Sequence, residues 1–162
     1  SRRDIYREAL MLRELTDKFR ASLIVNDYTD IALAVNADGV HLGQEDLPLK
    51  EARKILGKGK MIGVSTHSIE QAIAAEAGGA DYIGFGPIFH TETKDAGKPK
   101  GIAALREIKK LIKIPVIAIG GINTENLESV IDSGADAVAV SSGMIQGNIA
   151  DNVTRLLNIL KK

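Results

Sequence analysis

One three-residue word constrains this chain more than any other feature: Asn36-Ala37-Asp38, Gly79-Ala80-Asp81 and Gly134-Ala135-Asp136. Each copy ends a helical pattern and runs straight into an apolar stretch. Gly, with Asn as its usual substitute, supplies the positive φ that so tight a helix-to-strand turn requires. A chain that makes this turn repeatedly is a series of helix–strand units, and strands joined through helices lie parallel. The three aspartates precede strands rather than follow them. In a parallel barrel that end of the strands serves stability while chemistry collects at the other, so the aspartates read as structural.

Hydrophobic periodicity extends the pattern. Apolar β-type runs occupy residues 23–25, 40–42, 61–64, 82–89, 116–119 and 137–140. Helical patterns fall between them at 31–35, 49–56, 69–77, 102–112 and 125–133, with an opening helix over 4–19 and a closing one over 150–160. Ser68 and Gln71 fit a capping box, Pro48 suits a first helical turn, and Gly57 and Gly134 suit left-handed helix ends. Units of this kind in series predict a parallel sheet, either open and doubly wound or closed into a barrel. No Gly-x-Gly-x-x-Gly follows the first strand, which argues against dinucleotide binding. A complete barrel needs eight strands and about 250 residues. This chain of 162 residues has six strand patterns and opens on a helix. The expected fold is therefore α/β, a (β/α)8 TIM barrel with only strands three to eight present, as a single domain over residues 1–162. A barrel so opened would expose two strand edges and core side chains.

Hydrophobic residues make up 44% of the chain, enough for a sizeable core, and 21 basic residues balance 21 acidic ones. That balance argues against a nucleic-acid partner. With no cysteine, disulfides, thiolate metal sites and cysteine nucleophiles are excluded. The longest apolar runs, such as 31–35, are too short to span a bilayer, and residues 1–4 do not begin a signal peptide. These features predict a soluble cytoplasmic protein.

Three places carry candidate chemistry. In the first, the apolar strand over 82–89 keeps its backbone bare at Gly84 and Gly86, then spills into Thr91, Thr93 and Lys94. Two hydroxyls and an ammonium at the end of a strand suit an anion such as phosphate. In the second, the last two strands end in Ile119-Gly120-Gly121-Ile122 and Val140-Ser141-Ser142-Gly143. Small residues there bare backbone N–H groups, following helix starts can add their positive ends, and barrels commonly bind phosphate esters after strands seven and eight. The plainer reading is a tight turn at Gly120 and Gly121 and small core residues at Ser141 and Ser142. In the third, Asn26-Asp27 and Gly43-Gln44-Glu45-Asp46 follow adjacent strands, about 4.8 Å apart. Two such carboxylates, with water and substrate oxygens, suit Mg2+, although Asp also caps helices. His41 reads as a buried, hydrogen-bonded histidine that points into the barrel or packs beneath the site, rather than as a general base. His67 follows Ser65-Thr66, with Ser65 better placed for an anion, and His90 is either a ligand contact or a loop residue. The three histidines form no zinc motif, and no Ser-His-Asp arrangement can be inferred.

Taken together, Leu23-Ile24-Val25-Asn26-Asp27, the run from Asp38 to Asp46 (DGVHLGQED), Ile62-Gly63-Val64-Ser65-Thr66-His67, the run from Gly79 to Phe89 (GADYIGFGPIF), Thr91-x-Thr93-Lys94 and the run from Ile114 to Ile122 (IPVIAIGGI) resemble the thiamine phosphate synthase family. The resemblance implies a transferase on a (β/α)8 barrel that joins hydroxymethylpyrimidine diphosphate to thiazole phosphate, releasing pyrophosphate with the help of Mg2+. It implies that Asn26, Ser65 and Lys94 contact the pyrimidine diphosphate, with Ser65 and Lys94 catalytic, and that Asp27 and Asp46 bind Mg2+. It further implies that Thr91, Thr93, Gly121, Ser141 and Ser142 hold the thiazole phosphate. The family reaction is dissociative and needs charge stabilisation and alignment rather than a protein nucleophile. Two departures stand out. The family's first two strands, with their Gln-x-Arg-x-Lys pattern, would precede Ser1, and His90 stands where Pro is common. Rival readings are the related thiazole tautomerase branch, which carries His where this chain has Pro87, and an inactive phosphate-binding remnant. The expected partners are small-molecule substrates, with no nucleic acid and no membrane. A homo-oligomer is left open.

Overall fold

All three junction residues adopt the positive φ their sequence demands: 52° at Asn36, 86° at Gly79 and 89° at Gly134. The computed structural model describes residues 1–91 and 97–161. Along the chain run α1 (Arg2–Phe19), β1 (Ile24–Asn26), α2 (Thr29–Ala34), β2 (Gly39–Leu42), α3 (Leu49–Leu56), β3 (Met61–Thr66) and α4 (Ile69–Ala77). They are followed by β4 (Tyr82–Phe85), α5 (Gly101–Leu111), β5 (Val116–Ile119), α6 (Leu127–Ile131), β6 (Ala137–Ala139), α7 (Ser142–Ile145) and α8 (Ile149–Leu160). The strand order is the chain order, β1 to β6, so the architecture is α/β with a six-stranded sheet. The chain divides into two compact units, Ser1–Ser65 with Ala77–Asp81, and Thr66–Glu76 with Tyr82–Lys162.

In the first unit β1 pairs parallel with β2, Asn26 facing His41, and β2 pairs parallel with β3, His41 facing Gly63. Val25, Ile31, Val35, Val40, Leu42 and Ile62 are buried together. In the second unit β4 pairs parallel with β5, Ile83 facing Val116, and β5 with β6, Ile117 facing Ala137. Ile83, Phe85, Leu105, Ile108, Val116 and Leu127 are buried there. Continuous apolar strands are what a sheet covered on both faces requires. The last strand, β6, departs from this and keeps Ala137 exposed. Helix α1 buries only Ala9 and leaves Met11, Leu15 and Phe19 exposed. Among the described residues no helix is long and apolar enough to cross a membrane.

The repeated aspartates do the structural work expected of them, and all in one way. Asp38 Oδ2 accepts from the Leu23 N–H and from Arg13 Nη1 of α1, each at 2.7 Å. Asp81 Oδ2 accepts from the Ile62 N–H at 2.7 Å and from Arg53 Nη2 of α3 at 2.5 Å. Asp136 Oδ2 accepts from the Val116 N–H at 2.7 Å and from Lys109 Nζ of α5 at 2.6 Å. Each carboxylate thus ties the start of one strand to the start of the next and to the helix before both. The Leu23 N–H, seconded by Arg13, holds the Asp38 carboxyl below the usual carboxylate range. At Asp136 burial pushes the other way, but Lys109 and the Val116 N–H outweigh it and the net shift is downward.

Other expectations need correction. The strand expected over 82–89 ends at Phe85. Gly86–Pro87 is a cis peptide, and Pro87 has no N–H to continue a ladder. Ser68 Oγ does accept from the Gln71 N–H at 3.3 Å, but Gln71 Oε1 returns to the N–H of His67 at 2.7 Å, one residue before the position a capping box uses. Pro48 is the N-cap of α3 rather than its first helical residue. Gly57 has φ 71° with ψ −168°, outside the left-handed helical region. Helix α6 starts two residues late because its approach is held by asparagine side chains, and α7 was not foreseen.

Two predictions follow from this packing. Thr29 is 4% exposed, and among the described residues its Oγ1 has no hydrogen-bond partner. Thr29→Val is expected to stabilise the protein by about 1 kcal/mol in denaturant titration, since it removes an unsatisfied buried hydroxyl and keeps the shape. Asp38→Ala is expected to cost about 2 kcal/mol near neutral pH, the worth of hydrogen bonds to a charged acceptor. The folded-state pKa of Asp38 is depressed, so its contribution is fully present above the unfolded value of about 3.9 and is lost as pH falls through the folded value. The stability gap between wild type and Asp38→Ala should therefore narrow on acidification below that point; a gap that stays constant would refute the clamp.

Candidate active site

In the first unit, the candidate groups sit where β1, β2 and β3 end. Asn26 is the last residue of β1, and Asp27 follows with φ 66°. The Asp27 N–H donates to His41 O at 2.8 Å, and the Tyr28 N–H turns back to Asn26 O, also at 2.8 Å. A bond from residue i+2 to residue i across a positive-φ centre is a γ-turn of the rare, strained hand. Asp tolerates this region better than most residues, yet the turn still costs free energy, and such strain concentrates at functional positions.

Helix capping does not account for either candidate metal ligand. The N-cap of α2 is Tyr28 and that of α3 is Pro48, and neither helix has a side-chain cap bond. Asp46 instead reaches back three residues, its Oδ2 accepting from the Gly43 N–H at 2.6 Å, which leaves Oδ1 for another partner. Both carboxylates are half-buried. Among the described residues there is no cluster of three or more His, Cys, Asp or Glu groups able to hold a metal. Two hard oxygen donors with room for water and substrate oxygens fit Mg2+ rather than a transition metal.

Ser65, near the end of β3, is the meeting point of this unit. His41 Nε2 lies 2.9 Å from Ser65 Oγ, and Gln44 Nε2 donates to Ser65 O at 2.6 Å. His41 is hydrogen-bonded as expected but half-buried rather than buried, and the β2–β3 register explains its partner: with His41 facing Gly63, its side chain reaches the residue two further along. Gln44 had not been singled out. Its contact depends on a loop conformation that no local pattern specifies.

In the second unit, the backbone after β4 lies directly against the turn after β5. Ile88 N–H donates to Ile119 O at 2.9 Å and Phe89 N–H to Gly120 O at 3.0 Å. A Cβ on Gly120, φ 97°, would sit 2.5 Å from Pro87 Cβ, and one on Gly121, φ 65°, would strike the carbonyl of His90. These glycines therefore serve a close approach as well as a turn. The turn is held from outside: Asn126 Nδ2 donates to Gly121 O at 2.9 Å, while Asn126 Oδ1 accepts from the Asn123 N–H at 2.9 Å. Asn123 Oδ1 in turn accepts from Glu125 N–H at 2.8 Å. The Asn-x-x-Asn spacing was a legible signal for this brace and had been passed over.

Ser141 is the N-cap of α7 but makes no side-chain cap bond, and Ser142 is the first helical residue. Helix α7 is one turn long, so the dipole expected there is small, and α6 begins six residues after Gly121. Bare N–H groups, rather than helix ends, are what these loops offer an anion. Asn152 of α8 holds α7 by donating to Met144 O at 3.1 Å and Gln146 O at 2.6 Å. Thr91 is half-buried just after the Phe89–His90 contact, and His90 is exposed. Thr93 and Lys94 lie outside the described residues.

Comparison with known proteins adds a decisive observation: the family model for thiamine monophosphate synthase matches residues 1–144. The chain belongs to that family. A thiamine-phosphate synthase of Clostridium acetobutylicum is 49% identical over 160 residues, covering 98% of this chain and 76% of that protein. One from Methanosarcina barkeri is 55% identical over 130 residues, covering 80% of this chain and 59% of that protein. A solved thiamine phosphate pyrophosphorylase from Pyrococcus furiosus superposes with a TM-score of 0.92 at 40% identity, over 99% of this chain and 78% of that one. A 3-hexulose-6-phosphate synthase, at 16% identity and a TM-score of 0.73, shares the fold alone. Within the thiamine monophosphate synthase family, then, this chain carries a strained aspartate after β1, a loop aspartate after β2 and an oriented serine near the end of β3 in one unit. In the other it places a braced glycine turn.

The strain at Asp27 can be separated from its carboxylate. Asp27→Gly and Asp27→Ala both remove the charged group, but only Gly takes a positive φ freely. Asp27→Gly is expected to be about 1 kcal/mol more stable than Asp27→Ala in denaturant titration. Equal stability would show that the turn relaxes without cost.

Proposed function

We propose that the protein acts as a thiamine phosphate synthase, a transferase that condenses hydroxymethylpyrimidine diphosphate with thiazole phosphate to give thiamine phosphate and pyrophosphate. The observation that carries this reading is that Asp27 and Asp46 are not spent on helix caps. Two carboxylates that follow successive strands and cap no helix have a use in a reaction whose leaving group is a diphosphate. The finer fold, a single (β/α)8 barrel domain to which these strands contribute the third to eighth, is supported by the TM-score of 0.92 to a chain of which 78% is covered. A cytoplasmic protein acting on small molecules accords with this reading.

In the proposed mechanism Asn26 and Ser65 bind the pyrimidine diphosphate. His41 and Gln44 fix Ser65 from its hydroxyl and its carbonyl, so its orientation is set before substrate arrives. Asp27 and Asp46 would hold Mg2+, which when bound would supply positive charge to the diphosphate. Lys94 neutralises the departing pyrophosphate. The bond between the pyrimidine methylene carbon and the diphosphate oxygen breaks, its electron pair leaving with pyrophosphate, and the thiazole nitrogen then bonds to that carbon. Thr91, Thr93, Gly121 and the backbone at Ser141 and Ser142 hold the thiazole phosphate so that its nitrogen is aligned for capture. No side-chain nucleophile is required. The Ser65–His41 pair therefore orients a hydroxyl rather than activating one. Pro87, where the tautomerase branch carries His, favours transfer over isomerisation.

Full-length protein given both substrates and Mg2+ is expected to form thiamine phosphate, and no product above background would sink the reading. Asp46→Asn should lower turnover by at least about 100-fold, the scale of losing an electrostatic stabiliser of the transition state. Chelation of Mg2+ should do the same to wild type, with activity restored on adding the metal back.

A further inference from the structure

We propose that His67 is a positioning residue for the phosphate-binding turn at Gly120 and Gly121, an inference that rests on the transferase reading for its kinetic test. His67 is the first residue after β3, and its ring Nδ1 lies 2.7 Å from Gly86 O. A carbonyl oxygen only accepts, so Nδ1 carries the proton in this bond. The His67 backbone is held as well, its N–H donating to Gln71 Oε1 at 2.7 Å. Gly86 is gripped on both of its polar groups, because its own N–H donates to Thr66 O at 3.2 Å.

What Gly86 touches gives this grip its consequence. A Cβ on Gly86 would run into the carbonyl oxygen of Ile119, so the two backbones are in direct contact. Beyond it, Ile88 and Phe89 donate to Ile119 and Gly120, and Gly121 packs against Phe89 and His90. The place of the Gly86 carbonyl therefore sets the place of the Gly120–Gly121 backbone. His67 itself is exposed, so its ring fills no core space and its removal opens no cavity. Its ring is tied to the Gly86 carbonyl by a hydrogen bond. This gives an exposed histidine a purpose other than proton transfer.

The test compares His67→Ala, His67→Asn and His67→Gln in the full-length protein. The Asn amide nitrogen stands two bonds from Cβ, as Nδ1 does, whereas that of Gln stands one bond further. His67→Ala and His67→Gln are expected to raise KM for thiazole phosphate by roughly tenfold with kcat held within about threefold, and His67→Asn to restore KM. Thermal midpoints should stay close to wild type. Independently of turnover, the amide resonances of Gly120 and Gly121 should move in His67→Ala and return in His67→Asn. Unmoved Gly120 and Gly121 resonances in His67→Ala, or a His67→Asn protein as impaired as His67→Ala, overturns the inference. Should His67→Ala fail to fold, the contrast between His67→Asn and His67→Gln decides it in the same way. A wild type without turnover defeats the transferase reading alone, and the resonances then settle this one.

Discussion

The fold hangs on a carboxylate that sees a backbone N–H and a cation at once. In a parallel sheet the first N–H of each strand has no neighbour guaranteed to accept it, and an unpaired amide near the core is expensive. Asp38, Asp81 and Asp136 each meet that need and bring a helix with them through Arg13, Arg53 and Lys109. The arrangement works only because the residue two before each aspartate takes a positive φ, which turns the chain tightly enough to present the carboxylate at the strand's foot. Turn, carboxylate and cation form one device, used three times at alternate strands.

Stability gathered at one end of the strands leaves the other end to groups that serve neither the clamps nor the helix caps. Asp27 occupies a strained turn, and the Asp46 carboxylate engages one backbone N–H and caps no helix. An aspartate that caps no helix can turn toward a ligand's charge without costing a helix its start. The bracing around the site comes largely from uncharged amides: Gln44 at Ser65, Asn123 and Asn126 at the glycine turn, Asn152 at α7. Fixing a site with neutral polar groups leaves its electrostatic field to the few charges meant for substrate.

Much of this was legible from the chain alone, because it is written locally. The Asn/Gly-Ala-Asp word specifies a turn, and its recurrence specifies the parallel α/β pattern. The bounds 49–56, 69–77 and 116–119 coincide with α3, α4 and β5. What could not be read is non-local or depends on side-chain direction. The strand over 82–89 looked continuous because Ile88 and Phe89 are strand-like residues; they do pair, but with the turn after β5 rather than as an extension of β4. Asp27 and Asp46 stood where caps stand, and only the geometry shows that they are not caps. Ser65 is a site candidate on sequence alone, yet its link to His41 comes from strand register across 24 residues of sequence. Thr93 and Lys94, the anion contacts expected alongside Thr91, lie outside the described residues.

The contact between the Pro87–His90 backbone and the Gly120–Gly121 turn reaches beyond catalysis into how such a site can change. Neither side has space to yield alone: a methyl group at position 120 meets Pro87, and one at position 121 meets the His90 carbonyl. Single substitutions there are penalised whatever advantage they would bring to ligand choice, so the two segments evolve as a locked pair. New specificity is reached more readily through residues whose side chains face away from the seam, or through paired changes that only simultaneous sampling would find. A mutational landscape of this protein would show that seam as a narrow ridge of sign epistasis, running between two loops far apart in sequence.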